Sequence, residues 1–149
     1  LLSGVVHWAL DTFGSPATPL IGPGFIRPFR AHHADPEGMT RHDFVETHGA
    51  SCFAALPLLL AAVLVPLHSW GGVLAQTLLL FTGLGALLAN QCHKWAHARS
   101  VPAAVRAAQR LGLILRPEAH RRHHRAPHDR HFCTASGWMN RPLDRILSW

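Results

Sequence analysis

The sequence predicts an all-α protein: an integral-membrane helical bundle in which a transmembrane hairpin carries a histidine-rich helical cap on the cytoplasmic side. Three observations lead to this prediction. A chain of 149 residues has the length of one domain, so residues 1–149 are taken as a single unit. No Asp, Glu, Lys or Arg lies between Glu46 and Lys94. Histidine occurs 13 times, mostly outside that uncharged window.

The first segment, residues 1–13, predicts a helix that ends at the Gly14-Ser15-Pro16 turn sequence. Its apolar character is typical of the end of a membrane helix, and we expect at least one more span upstream in the full-length protein. The Pro- and Gly-rich stretch that continues to Pro28 predicts an ordered connector.

The uncharged window predicts two membrane spans, residues 52–67 and 72–92, separated by a polar and aromatic break at residues 68–71. A span of the hydrocarbon core takes about 20 mostly apolar residues. Two buried helices of a soluble bundle are the alternative, because both segments are somewhat short and Pro57 and Pro66 interrupt the first. A helix in a soluble protein normally has a polar face, however, and these segments have almost none.

A hairpin of two spans returns the chain to the side from which it left, so both charged ends share one face. Lys and Arg number 14 against 8 for Asp and Glu, which by the positive-inside tendency makes that face cytoplasmic. We therefore expect a multi-pass protein of a bacterial inner membrane or an ER-like membrane. The sequence contains no aromatic-basic module for nucleic acid, so its basic charge is assigned to anionic lipid headgroups.

The predicted cap comprises residues 27–46 and 93–149. Residues 29–46 are polar and predict short helices, and the second span is expected to continue as helix through His97. Residues 101–116 predict one amphipathic helix whose polar face includes Arg106, Gln109 and Arg110. That helix would lie in the membrane interface or pack on the cap itself. The three cysteines are widely spaced and predict neither a disulfide framework nor a cysteine-based zinc site.

The histidines recur at spacings of three and four residues, which place side chains on one helix face within reach of a common metal ion. These sets are His93 with His97; His120 with His123 and His124; His7 with Asp11; and His32 and His33 with His42. Any one set alone is weak evidence for a metal, and their joint occurrence on one membrane face is strong.

The remaining histidines have weaker assignments. His128 follows Pro127, which is expected to end the helix that carries His120. His128 is therefore predicted to lie next to the metal ligands rather than to bind the metal itself. His68 is assigned to the opposite membrane interface. Structural or solvated roles are predicted for His48 and His131. Asp129, Glu46 and Asp43 could orient ligating imidazoles by accepting a hydrogen bond from the second ring nitrogen, with helix capping as the alternative for Asp43.

The type of ligand limits the choice of metal. Many imidazoles with a carboxylate and no thiolate suit zinc, iron or copper. A zinc ion saturates at about four ligands, fewer than the candidates here. The larger set is better used by a pair of iron ions with open positions for oxygen.

These motifs resemble the membrane lipid desaturase family, which includes plasmanylethanolamine desaturases, the bacterial CarF proteins and plant phosphatidylglycerol palmitate desaturases. The matching stretches are HWALDTFGS, FIRPFRAHHADP, TRHDFVE, NQCHKWAH, EAHRRHHRAPHDRHFC and GWMNRPLD. They cover nearly all of the chain outside the two spans. Residues 47–51 read THGAS, where the plasmanylethanolamine branch is closer to TNGDN.

The resemblance implies which residues hold the metals. The shared set is His32, His33, His93, His97, His120, His123, His124 and Asp11. His7 and His42 belong to the plasmanylethanolamine pattern and are implied as ligands or as residues just beyond them.

The resemblance also implies an O2-dependent, non-haem di-iron enzyme that converts a 1-O-alkyl ethanolamine phospholipid of the membrane into a vinyl-ether plasmalogen. The sequence has no flavin or nicotinamide fingerprint, so electrons are expected from a partner such as cytochrome b5 or ferredoxin. Desaturation or hydroxylation of another lipid chain is the enzymatic alternative. A membrane metal-binding or metal-transport protein is the alternative from another class.

Overall fold

The computed structural model describes residues 1–147, and within that range it contains helices and no strand. Residues 148 and 149, the end of the predicted segment 93–149, lie outside the described residues. A π-helical turn (Gly22–Ile26) and a 3₁₀ turn (Gly38–Thr40) flank the second α-helix. The α-helices are α1 (Leu2–Thr12), α2 (Arg27–Ala34), α3 (Phe44–Leu64), α4 (Trp70–His97), α5 (Ala103–Arg110), α6 (Pro117–His123) and α7 (Asn140–Leu147).

A helix forms in the N-terminal segment, as predicted, over Leu2–Thr12. The chain leaves α1 through Gly14, whose φ of +69° lies in the left-handed region that glycine adopts at little cost. The predicted connector is shorter than expected, because α2 begins at Arg27 and Pro28 lies in its first turn. A proline is tolerated there, since the amide it lacks would have no partner within the helix.

The long helices α3 and α4 form an antiparallel hairpin, with 21 and 28 residues. Each extends beyond the predicted span at the histidine-bearing end. The extension of α3 begins with a capping box, in which the Asp43 carboxylate accepts from the Glu46 amide at 2.8 Å and the Glu46 carboxylate accepts from the Asp43 amide at 2.9 Å. Pro57 lies inside α3 without ending it.

Small residues allow the two helices to approach closely. Ala55 and Ala62 of α3 are buried, as is Gly83 of α4. A β-carbon at Gly83 would lie 2.7 Å from a methyl carbon of Leu59, so a glycine is needed for this approach. Near the histidine-bearing end the Asn90 amide donates to the Thr47 carbonyl at 2.8 Å, which adds a polar link between the helices.

The outer surface of the hairpin is apolar. Large side chains such as Phe53, Val63 and Phe81 point outward and are more than half exposed. Both helices are long and apolar enough to cross a membrane, with mean hydropathies of 1.7 and 1.8 over their most apolar windows. Only 22% and 11% of those windows are buried, whereas the core helices of a soluble bundle would be mostly buried.

The predicted helix over residues 101–116 is wrong in extent. Helix α5 ends at Arg110, and Gly112 then adopts a left-handed φ of +72° that turns the chain back. The predicted polar face is also wrong at Gln109, which is buried and donates to the Trp95 carbonyl at 3.4 Å. Leu115 follows the turn and is fully buried beside Cys92 and Ala96 of α4.

The C-terminal segment closes against the first helix. Helix α6 ends before Pro127, as predicted. Helix α7 was not identified from the sequence; its Leu143 is buried, and a β-carbon at Gly4 of α1 would lie 2.7 Å from it. Cys52, Cys92 and Cys133 are all free.

Candidate metal centre

The histidines converge at one end of the hairpin, where α1, α2, α4 and α6 meet. Their nitrogens form two groups of candidate metal ligands, and within each group the atoms lie within 4.8 Å of one another. The first group is His32, His93, His97, His120 and His124, and the second is His7, His32, His33 and His123. His32 belongs to both, so the two groups are adjacent.

The first group joins the end of α4 to α6. The Nε2 atom of His120 lies 2.7 Å from that of His93, 2.8 Å from that of His97 and 3.0 Å from that of His124. His93 and His97 are one turn apart on α4, and their Nε2 atoms are separated by 3.3 Å. The four-residue spacing read from the sequence therefore does bring imidazole nitrogens together.

The second group joins α1, α2 and α6 around a carboxylate. Asp11 Oδ2 lies 3.2 Å from Nε2 of His7, 3.6 Å from that of His33 and 3.5 Å from that of His123. The Nε2 atoms of His33 and His123 are 2.9 Å apart. His7 and His123 are fully buried, so this group is closed to solvent on the side of α1.

Backbone carbonyls fix the ring orientation of three of these histidines. The Nδ1–H of His7 donates to the Phe132 carbonyl at 2.9 Å, and that of His123 donates to the Arg130 carbonyl at 3.0 Å. The Nδ1–H of His32 donates to the Phe29 carbonyl. Because the proton is on Nδ1, each Nε2 presents a lone pair to the centre, as metal-binding histidines usually do.

Burial favours the uncharged form of several imidazoles in the two groups. Loss of solvation lowers the pKa of His124 to about 3 and that of His33 to about 4, the latter despite the opposing Asp11 carboxylate. Burial, and then neighbouring imidazoles, also lowers the pKa of His120 well below its ordinary value. Neutral imidazoles keep the lone pair that a metal ion needs, so the groups are suited to bind metal near neutral pH.

Two features of the geometry fit a pair of metal ions. Neighbouring ligand atoms that each lie about 2.1 Å from one metal are separated by about 3 Å, close to the distances between Nε2 atoms found here. In addition, buried atoms of the second group and of the adjacent Asp11 form no hydrogen bond with any described residue. They are Nε2 of His7 and His32 and both carboxylate oxygens of Asp11. Buried acceptor atoms without hydrogen-bond donors are unfavourable, and a bound cation would compensate them.

All residues of the predicted metal set lie at the candidate centre. His7, predicted as a ligand or a residue just beyond the ligands, lies in the second group. His128 stacks on His33 with ring centroids 4.5 Å apart, outside both groups. His42 is also outside both groups; its side chain is exposed and its carbonyl accepts from Lys94 at 2.6 Å. Their roles stay predictions.

The other polar residues have structural partners. His48 bonds to Gln91 at 3.1 Å, His131 lies beside Asp144, and His68 is exposed at the far end of the hairpin. Asp43 and Glu46 cap α3, and Asp129 pairs with Arg130 at 2.9 Å. None of these three carboxylates hydrogen-bonds an imidazole within residues 1–147, and for Asp43 the capping alternative is confirmed.

A cavity of about 240 Å³ opens beside the first group. It lies between α2, the 3₁₀ turn and the facing ends of α3 and α4, and both His32 and His93 contribute to its wall. Phe29, Met39 and Asn90 also line it and were not identified from the sequence. Of these three, only Asn90 could have been singled out from the sequence, because it is a polar residue in an otherwise apolar helix.

Comparison with known proteins places this centre in a family. Residues 1–149 match the family described as the lipid desaturase domain. The chain is 42% identical over 157 residues to the plasmanylethanolamine desaturase of Myxococcus xanthus, covering 99% of this chain and 56% of that protein. It is also 42% identical over 159 residues to plasmanylethanolamine desaturase 1 of Mus musculus, covering 99% and 57%.

A plant relative is more distant. The chloroplastic fatty acid desaturase 4 of Arabidopsis thaliana is 35% identical over 148 residues, covering 95% of this chain and 43% of that protein. The chain thus spans about half the length of the curated relatives it matches. No solved structure matches it significantly. The family match over the whole sequence, together with these identities, shows that the chain belongs to the lipid desaturase family.

Proposed function

We propose that the full-length protein is a membrane-bound, O2-dependent di-iron lipid desaturase that converts a 1-O-alkyl ethanolamine phospholipid into its vinyl ether. The observation that carries this proposal is the pair of buried imidazole groups that share His32. This arrangement can hold two metal ions at neighbouring positions. The names of two relatives, both plasmanylethanolamine desaturases, indicate the reaction.

The first group would hold one iron and the second group, with Asp11, would hold the other; His32 could bind either iron, since its Nε2 has a single lone pair. The Asp11 carboxylate supplies negative charge that partly offsets the cations in a buried site. When bound there, the irons supply the oxygen activation that the removal of hydrogen from an unactivated alkyl chain requires. Desaturation takes two hydrogens from the lipid and two electrons from a donor, and with two further protons reduces dioxygen to two waters.

The protein's own contribution is orientation and the exclusion of water. Phe132, Phe29 and Arg130 hold three imidazole rings through their carbonyls. Burial of His7, His120 and His123 keeps solvent from the centre. A centre without solvent limits side reactions with water.

The hairpin would cross the membrane, and the centre would lie at its cytoplasmic surface. The exposed apolar side chains of α3 and α4 support the first point, because their burial in lipid removes them from water. The excess of Lys and Arg at the histidine-bearing end supports the second. Electrons would come from a separate carrier such as cytochrome b5 or ferredoxin.

Lipid profiling tests this proposal. The full-length protein is expressed in a host that has alkyl ether lipids and no vinyl ethers, and the phospholipids are analysed by mass spectrometry. We expect vinyl ethers with the wild type and none with His123→Ala, while the exposed His68→Ala retains activity. Purified protein should contain iron.

Other outcomes point to the alternatives. A hydroxylated lipid would indicate a hydroxylase, and a double bond in another chain would indicate a different substrate. Bound zinc with unchanged lipids and no oxygen consumption would overturn the proposal in favour of a metal-binding or transport protein.

A further inference from the structure

The cavity beside the first histidine group connects the candidate metal centre to the surface. Its inner wall includes the buried His32 and His93, and its outer wall includes the exposed Asp35 and Glu46. The Nε2 atom of His32 is buried and has no hydrogen-bond partner among the described residues. A molecule in this cavity would therefore touch the candidate ligands at one end and solvent-exposed carboxylates at the other.

The wall between these ends is mixed in character. Phe29 and Met39 supply apolar surface, and Thr47 and Asn90 supply polar surface. At about 240 Å³ the cavity is smaller than typical pockets for drug-sized ligands, which start near about 300 Å³. It can hold part of a phospholipid: its largely apolar wall suits the carbons next to the glycerol backbone, and the exposed carboxylates at its outer end suit a cationic headgroup.

Glu46 is the unpaired charge at the outer end. The carboxylate of Asp35 is neutralised by Arg41 at 2.5 Å, and the ammonium of nearby Lys94 is bound by the His42 carbonyl at 2.6 Å and Thr47 Oγ1 at 3.2 Å. Glu46 accepts the Asp43 amide through one oxygen, and none of the described cations forms an ion pair with it. A carboxylate of this kind attracts a cation, most strongly one with N–H donors.

We propose that this cavity binds the headgroup end of the lipid substrate, with Glu46 pairing with the primary ammonium of an ethanolamine headgroup. The inference rests on the proposed desaturase function and adds a specificity-determining residue. With the ammonium at the outer end, the glycerol end of the lipid would extend toward His32 and His93 at the inner end. A choline headgroup carries the same charge but no N–H donor, so it pairs less well.

The test uses two variants that both keep the helix cap. Glu46→Gln removes the charge, and glutamine at this position still completes a capping box. Asp43→Asn removes a charge three positions earlier, also retains a capping residue, and does not line the cavity. Turnover of 1-O-alkyl phosphatidylethanolamine and 1-O-alkyl phosphatidylcholine is measured in membranes with each full-length protein.

We expect Glu46→Gln to raise KM for the ethanolamine lipid about tenfold with little change in kcat, because it removes binding that is equal in ground and transition states. Its preference for ethanolamine over choline should fall, and Asp43→Asn should match the wild type. An unchanged KM and preference in Glu46→Gln, with an active wild type, would overturn the inference. A wild type that forms no vinyl ether from either lipid would instead overturn the proposed function.

A binding measurement separates these two failures. Short-chain phosphatidylethanolamine is titrated into the purified full-length protein in detergent, and the affinities of the wild type, Glu46→Gln and Met39→Trp are compared. Met39→Trp fills the cavity without altering the Asp43–Glu46 capping box, so it covers the case in which Glu46→Gln fails to fold. Weaker binding in the folded variants supports the inference, and affinity equal to that of the wild type in both overturns it.

Discussion

At the scale of single residues, His32 has a special position because its Nε2 can face either metal. Its ring lies between the two groups, with centroids 4.8 Å from both His93 and His124 and 4.5 Å from His33. The ring is held by the Phe29 carbonyl and is buried. The single Nε2 lone pair binds one ion at a time, but the ring packs against imidazoles of both groups, so its loss should affect both sites.

This coupling gives a prediction about metal content. His32→Ala should weaken binding at both sites, whereas His124→Ala, which belongs to the first group alone, should weaken binding at one. The loss per affected site should be at least about 10- to 100-fold, the range known for residues that merely orient a ligand. Iron bound at a fixed free iron concentration, measured by elemental analysis, distinguishes the two variants.

The exposed His68, at the far end of the hairpin, provides the control. His68→Ala should bind as much iron as the wild type. Equal iron loss in His32→Ala and His124→Ala would argue against two sites that share one histidine.

At the scale of helices and turns, the close packing of α3 on α4 depends on Gly83. Gly83→Leu should force the helices apart, because even the first carbon of the side chain would lie 2.7 Å from a methyl carbon of Leu59. Overpacking of this kind typically costs about 1–3 kcal/mol. Thermal unfolding in detergent should therefore show a lower midpoint for this variant.

Gly85, on the same helix, provides the matched control. A β-carbon there would meet nothing within 4 Å, so Gly85→Leu makes the same chemical change in open space. Its midpoint should equal or exceed that of the wild type, since leucine favours helix more than glycine does. A similar destabilisation in both variants would contradict a close crossing at Gly83.

The same scale separates what the sequence could predict from what it could not. The hairpin and the histidine pairs follow from local patterns, namely long apolar runs and four-residue spacings. The burial of Gln109 depends on its contact with α4, which hydrophobic periodicity within one segment cannot reveal, and α5 ends early at the left-handed turn of Gly112. The carbonyls of Phe132 and Arg130 gave no signal either, because a backbone atom is the same for every residue type.

At the scale of the whole molecule, the candidate centre joins segments that have little else in common. It brings together α1, α2, α4 and α6, while the rest of the cap has a small apolar core around Leu115. A buried cluster of neutral imidazoles with few hydrogen bonds is unfavourable without a cation. Metal binding should therefore contribute much of the free energy that holds the cap against the hairpin.

Metal removal tests this contribution. A ligand at about 100 times its dissociation constant stabilises the folded state by about 2.7 kcal/mol per site, so chelation should loosen the elements that the metals join. Hydrogen exchange measured by mass spectrometry should become faster in α2 and α6. The hairpin segments of α3 and α4 far from the centre pack through Ala55, Ala62 and Gly83, and they should keep their protection. Uniform loss of protection along the chain would mean that the cap and the hairpin unfold together, and unchanged exchange in α2 and α6 would mean that the histidine cluster is stable without metal.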